Sequence, residues 1–314
     1  MGGSSSRWLL LNEQGDELGS GVALPITGHV FTKNGREENL SRLREVLRAA
    51  VSVAQPNAAV GGVAGLHGGT DAAALFWREV CENLGLAPEK VHLDNDMSVA
   101  YAGVFRPGEG VLIYAGTGSI AYHLRRDGEV IRAGGYGYLV DDAGGGFWIG
   151  QQGLRQVLRW FDQTGRPETR PLACEVYEAL GHDDWDDLIG IIYGGGRRQV
   201  AALAPAVARA ARAGDEVAVA ILERAGAELA ALTRTVLTRS GETLPVVFMG
   251  GVAQLSPLLT HSLRSRLPEN PFRRALGEPV RSAARLALEL ARATSNLNGK
   301  ATREALSDER EAQL

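Results

Sequence analysis

Residues 110–133, GVLIYAGTGSIAYHLRRDGEVIRA, predict a three-stranded antiparallel meander. The apolar run 110–115 has the length and bounds of a buried strand, and Gly116-Thr117-Gly118-Ser119 turns the chain into a second strand at 120–125. Asp127-Gly128 then turns the chain again, and the meander continues to its end. Helical patterns follow the meander, so this half of the chain is predicted to be α/β.

The N-terminal part of the chain repeats this order. Strands are predicted at 8–11 and 18–23 around the turn 13–16, and a helical periodicity covers 37–53. Two halves of the same kind indicate a duplicated α/β architecture, in which a ligand is expected in the cleft between the halves.

The predicted domains follow from this repeat. The first lobe is expected at residues 1–107 and the second at 108–292. The polar tail 293–314 is expected to dock on the N-terminal lobe.

Composition excludes several classes of protein. The 314 residues carry a formal net charge of -4, so no basic field indicates a nucleic-acid partner. No apolar stretch approaches the roughly 20 residues that span a bilayer, which predicts no membrane association. Cys81 and Cys174 lie far apart in sequence and lack metal-ligand spacing. With no signal peptide visible, a cytoplasmic location is expected.

The first candidate for chemistry is Asp94-Asn95-Asp96, at the end of a predicted strand and the start of a helix. A carboxylate at this place can accept a proton from a sugar hydroxyl, as the general base of phosphoryl transfer does. The structural alternative is that Asp94 or Asp96 caps the helix.

The most distinctive segment is 134–150, which combines glycines, Asp141-Asp142 and Phe147-Trp148. Carboxylates can bind sugar hydroxyls, and a helix that begins near Phe147 adds a positive N-terminal dipole. The alternative is an acidic surface loop that caps this helix. Gly250-Gly251 follows an apolar strand, where a nucleoside could approach the backbone or the chain could simply turn.

Taken in order, these segments resemble those of the N-acetylglucosamine kinases and the BadF/BadG/BcrA/BcrD-type ATPases, within the sugar kinase, Hsp70 and actin superfamily. The resemblance covers residues 2–292 and is carried by the segments 2–11, 116–119, 135–150, 203–226 and 249–252.

The resemblance implies duplicated ribonuclease H-like (actin-like ATPase) domains and ATP-dependent phosphorylation of an amino sugar, N-acetylglucosamine at its 6-hydroxyl. It implies that Asp96 is the catalytic base and that ATP and Mg²⁺ are the cofactors, with no direct metal ligand from the protein. The implied nucleotide contacts are Gly2, Gly3, Ser4, Gly116, Thr117, Gly118, Ser119, Gly250 and Gly251. The implied sugar contacts are His67, Gly68, Gly69, Asp96, Gly135, Tyr136 and Asp142. A homodimer is a further expectation, because members of the family often dimerise.

The chain departs from the family at two places. The family has a strand and an acidic residue before its first phosphate loop, whereas Met1 directly precedes Gly2-Gly3 here, so the first strand of the N-terminal sheet is expected to be missing. Ala143 replaces an acidic residue of the family's glycine-rich segment. These departures keep two alternatives open: a non-catalytic sugar- or nucleotide-binding homologue, and an ATPase that activates a dehydratase or reductase.

Overall fold

The computed structural model describes residues 1–2, 5–28, 33–183 and 185–294, and the chain forms two compact units. Among the described residues, unit 1 contains those of Met1–Gly103 and 278–294, and unit 2 contains those of Val104–Gly277. The boundary therefore falls four residues before the predicted one, and residues 278–292 lie in unit 1 rather than with the C-terminal half.

Unit 2 is built on a five-stranded mixed sheet with the strand order β7 (Val130–Gly134), β6 (Ser119–Leu124), β5 (Val111–Ala115), β8 (Val246–Met249), β9 (Phe272–Arg274). The predicted meander forms the antiparallel part of the sheet, and two further strands add to it in parallel. Its elements are β5 (Val111–Ala115), β6 (Ser119–Leu124), β7 (Val130–Gly134), α4 (Gly146–Thr164), α5 (Pro171–Leu180), α6 (Trp185–Ala201), α7 (Ala204–Arg212), α8 (Glu216–Ser240), β8 (Val246–Met249), α9 (Pro257–Ser265) and β9 (Phe272–Arg274).

The central strand β5 positions the candidate site of unit 2. β5 pairs in parallel with β8, with Tyr114 opposite Met249, so the carboxyl ends of both strands open at the same edge of the sheet. Val111, Leu112 and Ile113 are fully buried, so both faces of this strand are covered, which explains why it is apolar throughout instead of alternating.

Unit 1 holds an antiparallel hairpin and a separate parallel pair of strands. Helix α2 (Asp71–Leu84) is capped at its N-terminus by Thr70 and at its C-terminus by Gly85, which adopts the left-handed conformation. The elements of this unit are β1 (Ser6–Leu11), β2 (Glu17–Ala23), α1 (Lys33–Val53), β3 (Ala59–Val63), α2 (Asp71–Leu84), β4 (Val91–Asn95) and α3 (Asp96–Ala102).

Comparison of the two units supports a duplication. The hairpin β1-β2 corresponds to β6-β7, and the parallel pair β3-β4 corresponds to β8-β9, whereas the described residues of unit 1 contain no counterpart of β5. Met1 takes the place of the last residues of such a strand. Its amino nitrogen donates to the Gly62 carbonyl at 2.5 Å, and the Ala64 N–H donates to the Met1 carbonyl at 2.9 Å. These two bonds are those of a parallel bridge.

Residues 279–294 form a helix that belongs to unit 1. Arg281 forms an ion pair with Glu17 at 2.9 Å, and Arg292 donates to the Glu13 carbonyl at 2.6 Å. The sequence placed most of this helix in the second lobe because helical periodicity does not reveal the partner of a helix. The rest of the predicted tail, 295–314, lies outside the described residues.

Helices α6, α7 and α8 show how local signals set helix ends. The N–H groups of Val217 and Ala218 donate to Asp215, which is thus the predicted N-cap of α8. A single helix was predicted at 199–213, but α6 ends at Ala201 and α7 begins at Ala204. Pro205 explains this break, because proline lacks the N–H of a helix interior and fits the first turn.

Candidate active site

The candidate base Asp96 is the first residue of α3, directly after β4. Asn95 caps this helix by accepting the Met97 N–H at 2.9 Å, and Asp94 accepts the Asn95 N–H at 2.6 Å. The cap is therefore neither of the two aspartates proposed for it. Asp96 is half-buried, and its Cα would lie 2.9 Å from a Cβ on Gly62, so β3 passes directly beside it.

The loop after β3 carries the predicted sugar contacts His67, Gly68 and Gly69, all exposed. The Thr70 hydroxyl donates to the His67 carbonyl at 2.8 Å and accepts the Ala73 N–H, which fixes the loop to the start of α2. A Cβ on Gly68 or Gly69 would meet no atom within 4 Å, so both glycines leave open space beside the loop. No packing constraint accounts for glycine at position 68.

Asn95 connects this loop with the candidate base. Its side-chain amide lies 3.4 Å from the Leu66 carbonyl, while its oxygen caps α3. Asn95 thus links Leu66, which precedes the 67–69 loop, to the helix that begins with Asp96, and the sugar-binding roles of the loop and of Asp96 stay predictions.

Thr27-Gly28 supports the same loop. The Thr27 hydroxyl and the Gly28 N–H both donate to the Ala64 carbonyl, at 2.9 and 2.8 Å. A Cβ on Gly28 would lie 2.7 Å from the Gly65 carbonyl oxygen, so residue 28 must be small. A Thr-Gly pair between a strand and a helix carries no signal of such a distant contact.

The predicted first phosphate loop is only partly described. Gly2 donates its N–H to the Ser5 carbonyl at 3.1 Å. Gly3 and Ser4 lie outside the described residues. The role of this loop stays a prediction.

The second predicted phosphate loop, Gly116 to Ser119, is the turn between β5 and β6. The first turn of α4 bonds to it. The Gly146 N–H donates to the Gly116 carbonyl at 2.8 Å, and the Phe147 N–H donates to the Thr117 carbonyl at 2.9 Å. These two donors are used within the protein and are not available to a ligand, contrary to the expectation from the helix dipole.

The hydroxyl of Ser119, an implied nucleotide contact, donates its hydrogen bond within the protein. The residue is buried, and its hydroxyl donates to the Ala143 carbonyl at 2.7 Å. The hydroxyl therefore ties the turn to the acidic loop, and Thr117 carries the half-buried hydroxyl of the turn.

Packing explains several glycines in this region. A Cβ on Gly145 would lie 2.8 Å from the Gly118 carbonyl carbon, and a Cβ on Gly250 would lie 2.3 Å from the Ala115 carbonyl oxygen. Gly250 also has a φ of 105°, which side chains rarely permit. By contrast, Gly251 faces open space, so it is the member of the predicted nucleoside pair that a ligand could approach.

Asp142 is half-buried and lies beside the turn 116–119. Its Oδ1 accepts the Ser119 N–H at 3.4 Å. Burial raises the pKa of the Asp142 carboxyl above its ordinary value, while backbone N–H groups of Ser119 and Gly137 and the charge of Arg197 act in the opposite direction. The sequence does not indicate that Arg197 lies near Asp142, because Arg197 is in α6, 55 positions further along the chain.

The remaining predicted sugar contacts precede Asp142. Gly135 donates its N–H to the Ser119 carbonyl at 2.9 Å and has a φ of 73°. The side chain of Tyr136 is 65% exposed, so it can meet a ligand. Trp148 packs against the core with Arg224 over its ring, whereas Phe147 meets Tyr138.

Other classes of site find little support. Among the residues the structure describes, no three His, Cys, Asp or Glu side chains are placed to share a metal ion. Cys81 is half-buried on α2 and Cys174 is exposed on α5 of the other unit. No helix in the described ranges has both the length and the apolar character of a membrane span.

Comparison with known proteins decides the family. The profile of the BadF/BadG/BcrA/BcrD ATPase family matches residues 1–283. The chain belongs to this family. The predicted relationship is therefore confirmed, and the actin-like ATPase fold predicted with it is confirmed by the structural neighbours.

Two sugar kinases are among the relatives of this chain. Over 168 residues the chain is 32% identical to the N-acetylmuramic acid/N-acetylglucosamine kinase of Clostridium acetobutylicum, a match that covers 52% of this chain and 54% of the relative. Over 190 residues it is 34% identical to the N-acetyl-D-glucosamine kinase of Dictyostelium discoideum, covering 57% and 59%. The matched segments thus span little more than half of each relative.

One solved structure is similar to this chain over nearly its whole length. A Chromobacterium violaceum protein, provisionally assigned as an N-acetylglucosamine kinase, shares 27% identity at a TM-score of 0.66. The match covers 92% of this chain and 96% of that protein.

Proposed function

We propose that the protein is an ATP-dependent kinase of N-acetylated amino sugars, with N-acetylglucosamine as its substrate. The observation that carries the proposal is the position of Asp96, a half-buried carboxylate beside an open glycine loop, with the helix cap supplied by Asn95 instead. Both sugar-kinase relatives share N-acetylglucosamine in their names, which supports this choice of sugar.

Asp96 would act as the general base. Its carboxylate accepts the proton of the attacking hydroxyl, for which the family resemblance indicates the 6-hydroxyl. Its backbone is fixed by β3 at Gly62, so the carboxylate is held at the end of the sheet and not on a mobile segment.

Nucleotide binding is assigned to the turn 116–119 and to Gly251. The turn is held from two sides, by the first turn of α4 and by the Ser119 hydroxyl. The N–H groups of Gly116 and Ser119 donate to the Gly118 carbonyl and to Asp142, so phosphate contacts are assigned to the middle of the turn, which is fixed without reorganisation. The open backbone at Gly251 suits the adenosine moiety, as proposed from the sequence.

Mg²⁺ fits this assignment as an ion held by the substrate. Magnesium bound to nucleotides keeps several waters and takes few protein ligands. When bound, it would neutralise charge on the phosphates.

Sugar contacts are assigned to the loop 67–69 in unit 1 and to Gly135, Tyr136 and Asp142 in unit 2. The exposed Tyr136 ring offers an apolar face, and the Asp142 carboxylate can accept hydroxyl hydrogen bonds. A cytoplasmic location and a homodimer remain predictions.

The deciding experiment measures the sugar product directly. Purified protein is incubated with ATP, Mg²⁺ and one of N-acetylglucosamine, N-acetylmuramic acid, glucosamine or glucose, and the sugar phosphate is detected by mass spectrometry with ADP release in parallel. We expect a phosphorylated product with N-acetylglucosamine. ADP release without any phosphorylated sugar would contradict the proposal and favour an ATPase activator, and no turnover with sugar binding intact would favour a non-catalytic homologue.

A further inference from the structure

The segment that carries Asp142 is a tight loop with little packing of its own. The N–H groups of Val140 and Asp141 both donate to the Gly137 carbonyl, at 2.9 and 3.0 Å. The tip residues Leu139 and Val140 are 84% and 76% exposed. Burial at the tip therefore cannot hold the loop in place, and another contact must do so.

Tyr138 supplies that contact, because its ring is held by two helices. It meets the ring of Phe147 on α4 edge-to-face, with centroids 5.1 Å apart and an interplanar angle of 62°. The Arg197 guanidinium on α6 lies over the Tyr138 ring, 5.7 Å from its centroid. Tyr138 thus adds a side-chain contact to the hydrogen bonds that Ser119 makes with the same loop.

The position of Arg197 is itself fixed by the backbone of α6. Gly196 has φ 56° and ψ -147°, a conformation open essentially to glycine only, and it breaks the helix immediately before Arg197. Val200, on the part of the helix after the break, is buried, and its carbonyl oxygen would lie only 2.0 Å from a Cβ on Gly150 of α4. This close approach anchors Arg197 to the same helix that carries Phe147.

Arg197 also acts on Asp142 through its charge. The groups that face the Asp142 carboxylate are the carboxylate of Asp141, the guanidinium of Arg197 and the backbone N–H groups of Ser119 and Gly137. Arg197 is the one cation in this set, and it lowers the pKa of Asp142 against the larger effect of burial.

We propose that Arg197 is a positioning residue for Asp142, because it holds the loop that carries this carboxylate through the ring of Tyr138. The role of Asp142 as a sugar contact rests on the proposed function. Arg197 does not touch the reacting atoms in this assignment, so its loss should weaken sugar binding more than it slows phosphoryl transfer.

The test uses three substitutions of the full chain. Arg197→Met removes the charge and keeps much of the apolar stem, Arg197→Lys keeps the charge, and Arg198→Met at the exposed neighbouring residue is the matched control. We expect Arg197→Met to raise the KM for N-acetylglucosamine about tenfold, because the loop that carries Asp142 loses its contact with α6. The KM for ATP should change less than about twofold.

The pH profile separates a charge effect from mere packing. Removing the cation raises the pKa of Asp142, so the acid limb of kcat/KM for the sugar should move to higher pH in Arg197→Met. Arg197→Lys should keep the acid limb near that of the wild type, and Arg198→Met should resemble the wild type in every measurement. An Arg197→Met enzyme with wild-type KM and an unmoved acid limb would overturn the inference.

Hydrogen exchange tests the Tyr138 contact independently of catalysis. The amides of Val140 and Asp141 should exchange faster in Arg197→Met than in the wild type and in Arg198→Met. If the wild type phosphorylated no sugar while these amides still exchanged faster, the proposed function would fail and the role of the Tyr138 contact would stand. Equal exchange in all proteins would refute that role.

Discussion

The carboxylate of Asp142 occupies the space in which residue 118 would carry a side chain. An ideal Cβ on Gly118 would lie 2.5 Å from Asp142 Oδ2, closer than real contacts allow. Asp142 is thereby pressed against the predicted phosphate loop, where its Oδ1 also accepts the Ser119 N–H. A Cβ at position 118 would have to displace this carboxylate, so the two segments can be tested as a coupled pair.

Gly118→Ala should destabilise the protein by roughly 1–3 kcal/mol, the usual cost of overpacking. In an Asp142→Ala background the added methyl group has room, so the cost should largely disappear. Urea unfolding of the wild type, both single variants and the double variant measures this coupling. Additive effects of the two substitutions would show that the contact does not constrain residue 118.

Asp96→Asn should reduce turnover at least about a hundredfold, because the amide cannot accept the proton of the sugar hydroxyl. ATP binding, measured by calorimetry, should stay largely intact. Asp94→Asn is the matched control, since an asparagine at position 94 can still accept the Asn95 N–H through its amide oxygen. Turnover that survived in Asp96→Asn, or fell as far in Asp94→Asn, would remove Asp96 from the role of base.

Asp142 should make stability depend on pH. Burial raises the pKa of its carboxyl above the ordinary 3.8, so the folded protein binds this proton more tightly than the unfolded chain does. Its contribution to stability is present below pH 3.8 and is lost as the pH rises through the folded-state pKa. Asp142→Asn removes this titration.

We therefore expect the unfolding temperature of Asp142→Asn, relative to the wild type, to increase from acidic to neutral pH. Thermal unfolding of both proteins across this pH range measures the difference. A difference that stays constant or decreases toward neutral pH would contradict the direction assigned to this carboxyl.

Asp215→Ala should destabilise unit 2 by about 1–3 kcal/mol, because one side chain serves two helices. Its Oδ1 accepts two N–H groups at the start of α8, and its Oδ2 accepts the Leu172 N–H of α5 at 3.0 Å. Ser256→Ala, which removes a cap that accepts one N–H of α9, should cost less. Denaturant unfolding measures the loss of stability in both variants. Equal losses would show that the hydrogen bond from Asp215 to α5 does not contribute to stability.

Several features were predictable from local sequence because their physical cause is local. The meander at 110–133, the cap at Asp215 and the position of Asp96 at a strand-to-helix junction all follow from apolar patterning and turn residues within a few positions. The order of the motifs made the family resemblance recognisable. The resemblance then implied roles for single residues, such as the base and the nucleotide contacts, which local patterns do not indicate.

The sequence by itself determined the order of the segments and the chemistry available in each: apolar strands, glycine turns and a carboxylate after β4. Only the tertiary structure decided which glycines face open space, as Gly68 and Gly251 do, and which are pressed against another segment, as Gly118 and Gly250 are. It also decided that Arg197 reaches Tyr138 from another helix. The physical reason is that steric contact and charge act over a few ångströms in space, and the residues that share that space are far apart along the chain.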